Sequence, residues 1–411
     1  MDLPPHDIRY EYRTLVLICF GFGLVGLDRW LLAPLFPYIM KDLGLNFQQL
    51  GSLAGILGIA WGFWSIAMGP VSDRFGRKKL LVGAMLAFSL LSSLTGLAGS
   101  FLALMGIRAI MGVAEGAFTP VSVAVTEDVS APSRRGFNMG IQLSMFSLFG
   151  FGFAPIVATQ LLRVVPSWHW VFMVSAIPGL IIAGLMMLLL RESHATRTTE
   201  HLDVPWTSHF RSRNVVLAAV ANCCAMAGIF TMGAMVPSYL IEVLRLSPQS
   251  MGFVVSAMGF GGFCGSLVAA VSDYIGRKLM SVIGFVVATV LVLIFMRIGS
   301  NPVQLFCMLF VISMLAVGIL GLVTGPIAAE GAPPGLIASS VGFVSGSGEI
   351  FGGGIAPVIA GALAQHFGLG STLWFAVAGL AVGVIVSLFL VETAPRRRRP
   401  LLTLPTHTDA R

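Results

Sequence analysis

Apolar residues run through this chain in long blocks separated by short polar breaks. Twelve blocks reach the roughly 20 residues that a helix needs to cross a bilayer core. They fall at approximately 14–38, 48–68, 80–98, 102–124, 138–162, 170–190, 214–238, 248–270, 279–297, 303–327, 338–364 and 371–391. The breaks are short, except 191–213 in the middle. Lipid cannot satisfy open backbone, and the alternating short strands of a barrel are missing, so the blocks predict helices. The first block carries Asp28 and Arg29 behind a polar stretch at 1–13. That predicts a retained first helix and not a cleaved leader.

Composition points the same way. The chain is 56% hydrophobic and 10% charged, with mean hydropathy +0.90; soluble domains carry roughly 25% charged residues. The expected class is an all-α membrane protein with twelve transmembrane helices. The net charge of +7 would suit a nucleic-acid partner, but its distribution argues against one. An even number of spans puts both termini on one side, and that side carries 19 of the 25 Lys and Arg. The opposite loops carry Lys41, Arg163, Arg245 and Arg297. The positive-inside rule then predicts cytoplasmic termini in a plasma membrane, the inner membrane of a bacterium. The run Arg396–Arg399 reads as a topology anchor beside anionic lipid. Cys19, Cys223, Cys224, Cys264 and Cys307 fall in predicted spans without metal or redox spacing, so packing roles and no metal are expected.

The chain repeats itself. Ser72-Asp73-Arg74-Phe75-Gly76-Arg77-Lys78 after the second span returns as Ser272-Asp273-Tyr274-Ile275-Gly276-Arg277-Lys278 after the eighth, 200 residues on. Ala154-Pro155 returns as Ala356-Pro357. Two pseudo-symmetric six-helix halves are predicted, 1–190 and 214–395, with a cytoplasmic linker at 191–213 and a basic tail at 396–411. Parallel halves of this kind place a substrate site between them near the midplane.

Four charges sit inside the spans: Asp28 and Arg29 in the first, Arg108 and Glu115 in the fourth. A charge at the bilayer centre costs at least about 2.5–3.5 kcal/mol on insertion scales, so it persists where it has a partner or a task. The four sum to zero, as a proton-coupled carrier of an organic anion requires. Arg108 and Glu115 are two helical turns apart on one face, about 10 Å along the axis, too far for a simple pair. Glu349, in the eleventh span, has no obvious cationic partner in its own half, and Ser147 takes its place in the repeat. An unpaired buried carboxyl holds its proton near neutrality. Glu349 is therefore a second proton site, a hydrogen-bond donor to substrate, or a packing residue. Gln142 and Asn222 would orient a hydroxylated ligand or bond between helices. Trp30, Trp61 and Trp64 would stack on an aromatic substrate or mark the lipid interface.

On these residues the chain resembles the major facilitator superfamily over nearly its whole length. Gly69-Pro70-Val71-Ser72-Asp73-Arg74-Phe75-Gly76-Arg77-Lys78-Lys79 fills the family's loop motif, G-x-x-x-D-R-x-G-R-K/R-K/R. Arg108-Ala109-Ile110-Met111-Gly112 resembles its second motif. The resemblance implies a latch of Gly69, Asp73, Arg74, Gly76 and Arg77, with Asp273, Gly276 and Arg277 in the second half, that closes the cytoplasmic side and is remade during transport. Glu127, Asp128 and Glu330 at the cytoplasmic ends of spans four and ten are expected as its acidic partners. Asp28-Arg29 with Arg108 and Glu115 is similar to the anion:cation symporters, a branch that includes bacterial sugar-acid carriers such as the D-galactonate transporter. It implies Asp28 and Glu115 as proton sites, Arg29 as the carboxylate site, and Arg108 as the charge that neutralises Glu115.

The expected function is proton-driven uptake of a small organic anion by alternating access, with no cofactor beyond the proton gradient. The expected partners are the anion, protons and lipid, and the expected state is a monomer. Two other readings stand beside it: efflux antiport of drugs or lysolipid-like compounds on the same fold, and a non-transporting membrane sensor. No P-loop, Ser-His-Asp or His-Glu-x-x-His pattern is present, which argues against ATP-driven transport and against an enzyme.

Overall fold

The structure of the chain, a computed structural model, describes residues 7–192, 212–333 and 336–394, with the side chains of 69–75, 266–270, 273 and 338 outside that description. The first half comprises α1 Ile8–Leu43, α2 Phe47–Phe75, α3 Arg77–Thr95, α4 Phe101–Val129, α5 Arg135–Leu161 and α6 Trp168–Leu189. The second comprises α7 Arg213–Glu242, α8 Pro248–Ile275, α9 Arg277–Phe295, α10 Pro302–Gly331, α11 Ser339–Phe367 and α12 Gly370–Leu388. Eleven of these are long and apolar enough to cross a membrane; α8, at 28 residues, has the length and packs on α10 as α2 packs on α4. No strand occurs among the described residues. Most of the predicted linker and all of the basic tail lie outside the described residues.

Helix ends follow local chemistry. Asn46 and Gln49 exchange side-chain and backbone bonds of 2.9 Å at the start of α2, a capping box. Gly76 and Gly276 hold φ of 88° and 110° between α2 and α3 and between α8 and α9, a conformation open to glycine and strained for other residues.

Three helices change pitch inside the bundle. Residues Leu148–Phe153 of α5, Val323–Ile327 of α10 and Gly348–Ile355 of α11 wind as π-helix. Each has a proline in it or just after it, Pro155, Pro326 and Pro357. Proline lacks an N–H and its ring crowds the carbonyl one turn back, which the wider turn relieves. The repeated Ala-Pro pair of the sequence thus marks a widened turn at equivalent points of the two halves.

The halves meet towards the face opposite the linker. There α2 lies against α11, and α5 against α8, with backbones close enough to exclude side chains. A Cβ on Gly259 would stand 2.0 Å from the backbone nitrogen of Gly152. Two hydrogen bonds cross between the halves among the described residues: Phe47 N–H donates to Gln365 Oε1 (3.2 Å), and Arg29 donates to Glu349. The larger apolar core joins Leu31, Leu35 and Phe36 of α1 to Met235 and Leu240 of α7 on this side. A second core, around Ile18, Phe88, Phe118 and Met186, belongs to the first half alone.

Candidate functional site

The first, fourth and eleventh helices bring the candidate charges to the middle of the bundle. Arg29 is 7% exposed, and its Nη2 donates to Glu349 Oε2 at 3.0 Å, 320 residues away in the other half. Four rings surround the guanidinium: Trp61 at 4.6 Å, Phe230 at 4.8 Å, and Trp30 and Phe146 at 5.9 Å. Its Nη1 is buried without a hydrogen-bond partner among the described residues. The widened turn of α11 begins at Gly348, and Glu349 stands on that turn, its side chain 18% exposed. Glu349 therefore has a cationic partner after all. The repeat compares positions within each half, so it could not reveal a partner in the other one.

Asp28 points the other way around α1, as neighbouring helical residues do, and its Oδ1 accepts from Ser92 Oγ of α3 at 2.7 Å. Arg108 is fully buried on α4. Its Nη1 donates to the carbonyls of Asp28 (3.2 Å) and Arg29 (3.4 Å), so it braces the α1 backbone directly beneath both candidate residues. Glu115 is also fully buried, and neither of its oxygens has a hydrogen-bond partner among the described residues. Arg108 and Glu115 make no hydrogen bond to each other, as their two-turn spacing predicts, and the guanidinium reaches α1 instead. The lone carboxyl of the site is thus Glu115, where the sequence pointed to Glu349. A cavity of about 20 Å³, room for one water, lies beside Arg29 and Arg108 between Leu57, Ala54, Ala234 and Gly353.

The remaining predicted residues are placed as follows. Gln142 accepts from Thr126 Oγ1 (2.5 Å) and donates to Ser122 Oγ (2.8 Å), which ties α5 to α4 and uses both ends of the amide. Asn222 Nδ2 donates to the Val344 carbonyl at 2.8 Å and ties α7 to α11. Both bond between helices. Trp30 packs on Phe151 (4.2 Å) and Phe230 (5.1 Å) and so belongs to the ring wall. Trp64 is half-exposed and is not among the rings that enclose Arg29. The described residues contain no group of His, Cys, Asp and Glu able to hold a metal.

On the linker face each half carries the same ionic assembly. Arg77 at the start of α3 bonds Asp128 and the Ala124 carbonyl at the end of α4. Arg277 at the start of α9 bonds both oxygens of Glu330 at the end of α10, at 3.2 and 2.8 Å, a two-point fork. Arg135 approaches Glu127 to 3.8 Å. The acidic partners expected from the sequence are therefore in contact with basic residues. A further pair was not foreseen: Glu192 accepts from Lys78 N–H (3.3 Å), and Glu392 accepts from Arg277 N–H (2.8 Å) and Lys278 N–H (3.2 Å). Each acidic residue follows the last helix of its half and caps the N-terminus of the third, where unbonded amides favour an anion. Their 200-residue spacing was a signal available in the repeat. A Cβ at Gly76 would lie 2.5 Å from Glu192 Oε1, so the glycine makes room for this cap. Of the other latch residues, the side chains of Asp73, Arg74 and Asp273 lie outside the described residues, and Gly69 is placed only as part of α2.

Twelve helices in two related halves, a polar centre and paired ionic assemblies on one face agree with the comparison by sequence. The family model described as Major Facilitator Superfamily matches residues 18–350. The chain belongs to the major facilitator superfamily. It is an integral, multi-pass transporter of the plasma membrane and not an enzyme. A probable 4-methylmuconolactone transporter of Cupriavidus pinatubonensis (strain JMP 134 / LMG 1197) is 28% identical over 386 residues, covering 91% of this chain and 89% of that protein. A hexuronate transporter of Bacillus subtilis (strain 168) is 29% identical over 279 residues, 64% of this chain and 65% of that one. In structure, a bacterial homologue of the human lysosomal transporter Spinster, in its inward-facing and occupied conformation, aligns with TM-score 0.76 at 16% identity, covering 93% of this chain and 97% of the other. That likeness establishes the fold alone.

Proposed function

We propose that this transporter couples the uptake of a small organic carboxylate to protons. The observation that carries the reading is the ion pair between Arg29 and Glu349, in which a buried cation of one half is held by an anion of the other. Arg29 is the substrate site. A carboxylate that binds its guanidinium in two-point fashion must take the Nη2 position from Glu349 and fill the unused Nη1. Displaced Glu349 would be an uncompensated charge in the membrane interior, and it takes up a proton. Cargo and proton therefore arrive together.

Asp28 and Glu115 carry the remaining protons. A buried carboxyl without a partner is stable in a dry interior only as the neutral acid, which describes Glu115 in this arrangement. Rocking of the halves changes what faces Glu115 and Asp28, so protons bind from one side and leave to the other. Arg108 acts through the α1 backbone it braces. The basic face is cytoplasmic by the positive-inside rule, the close packing of the halves seals the outer side, and the carrier is open inward. The proton gradient is the energy source, no cofactor is needed, and the unit is a monomer in lipid.

The test is uptake into proteoliposomes from a panel of sugar acids, aromatic acids and short hydroxy acids, with and without an imposed pH gradient. Accumulation of a carboxylate above its external level, only with the gradient, is expected. Transport confined to cationic drugs or lysolipids would replace this reading by efflux.

A further inference from the structure

We infer that the cargo is a carboxylate carried on a flat aromatic or conjugated ring, and not a polyhydroxylated sugar acid. This deepens the assignment of Arg29 as the anion site and rests on it.

The first support is the wall around the guanidinium. Trp61 and Phe230 lie 4.6 and 4.8 Å from it, and Trp30 and Phe146 complete the enclosure at 5.9 Å. These rings also brace one another: Trp61 stands edge-on to Phe146 at 5.6 Å, and Trp30 edge-on to Phe230 at 5.1 Å. A cation between ring faces keeps its charge by attraction to the rings, while its nitrogens remain free for a carboxylate. A carboxylate docked there places the atoms attached to it among ring faces and edges. Once Glu349 is displaced, a flat ring attached to that carboxylate packs on this wall by offset or edge-to-face contact.

The second support is the apolar lining next to the guanidinium. Apart from Arg29, Arg108 and Trp30, the small cavity is lined by apolar residues, among them Leu32, Leu50, Ala54, Leu57, Ala234 and Pro357. Gln142 has both ends of its amide engaged, and Asn222 has its Nδ2 engaged, in bonds between helices. Ser147 Oγ, Asn222 Oδ1 and Thr231 Oγ1, buried without a hydrogen-bond partner among the described residues, do not line that cavity. A sugar acid carries a hydroxyl on nearly every carbon, each with one donor and two lone pairs to satisfy. Each hydroxyl buried without a partner lowers affinity by about tenfold. A planar ring presents no such demand.

Calorimetric titration of the purified protein with benzoate, cyclohexanecarboxylate and gluconate tests the inference. The three share the carboxylate and differ in what it is attached to. Benzoate is expected to bind about tenfold tighter than cyclohexanecarboxylate, and gluconate more weakly than either. Trp61→Leu should remove most of the preference for benzoate over cyclohexanecarboxylate, and Trp61→Phe should restore it. Gluconate binding as tightly as benzoate, or no difference between benzoate and cyclohexanecarboxylate, would overturn the inference and leave Arg29 as an anion site. If none of the three binds while a cationic or lysolipid probe does, the anion-site reading falls with it.

Discussion

Glu392 takes hydrogen bonds from the backbone N–H groups of Arg277 and Lys278 at 2.8 and 3.2 Å, while the Arg277 side chain forks onto Glu330. One residue thus joins the ends of α9, α10 and α12. Glu192 repeats the cap at Lys78 in the first half. Each half is fastened to itself at this face, and the face can open without loosening either half.

Loss of that cap should show as stability and rate before affinity. Glu392→Gln removes an anion from a helix N-terminus, a term of about 0.3–1 kcal/mol. A lower unfolding temperature and slower turnover are expected, with binding of the carboxylate changed by less than about twofold. A large loss of affinity at normal stability would place Glu392 in the substrate path.

Arg29→Lys should weaken carboxylate binding by about tenfold or more, because a lysine keeps the charge but not the planar fork. Titration of the folded variant measures this directly. Near-normal affinity would remove Arg29 from the site.

Glu349→Gln removes the anion that competes with the substrate for Arg29. The affinity of the folded variant for an organic anion should rise by about tenfold. Titration calorimetry of the two proteins at one pH measures this, and unchanged or weaker binding in the variant would rule out the competition.

Glu115→Gln fixes the neutral state of a carboxyl that has no partner. Binding and exchange of labelled for unlabelled substrate should persist, while accumulation driven by a pH gradient is lost. Asp28→Asn should behave alike. Gradient-driven accumulation in the double variant would sink the assignment of both as proton sites.

Gly259→Ala would put a methyl group 2.0 Å from the Gly152 nitrogen, across the seal between the halves. Overpacking of this kind typically costs about 1–3 kcal/mol. The sealed arrangement should lose population, so cysteines introduced near Gly51 should become more reactive from the outer side. Unchanged labelling would mean that the seal opens by another route.

Much of this was legible in the chain, because bilayer thickness fixes the length of a span and the repeat announces itself at Ser72 and Ser272. The charges at 28, 29, 108 and 115 stood out against their apolar neighbours for the same reason. What could not be read was pairing between halves. Nothing near Glu349 in sequence indicates Arg29, because the two meet only when the second half packs on the first. Nor does spacing say whether Gln142 and Asn222 face a ligand or a neighbouring helix. That depends on rotation about the helix axis, which glycine-rich, nearly uniformly apolar spans do not encode by a polar stripe.

The bond from Glu349 to Arg29 also bears on the empty carrier. On the proposed symport, the carrier returns without its cargo, and a bare guanidinium crossing the membrane centre would stall that step. Glu349 would then serve as a tethered counter-ion that fills the vacancy for the homeward stroke, so that the protein carries its own ballast. Without it, the return journey and not the delivery would set the pace.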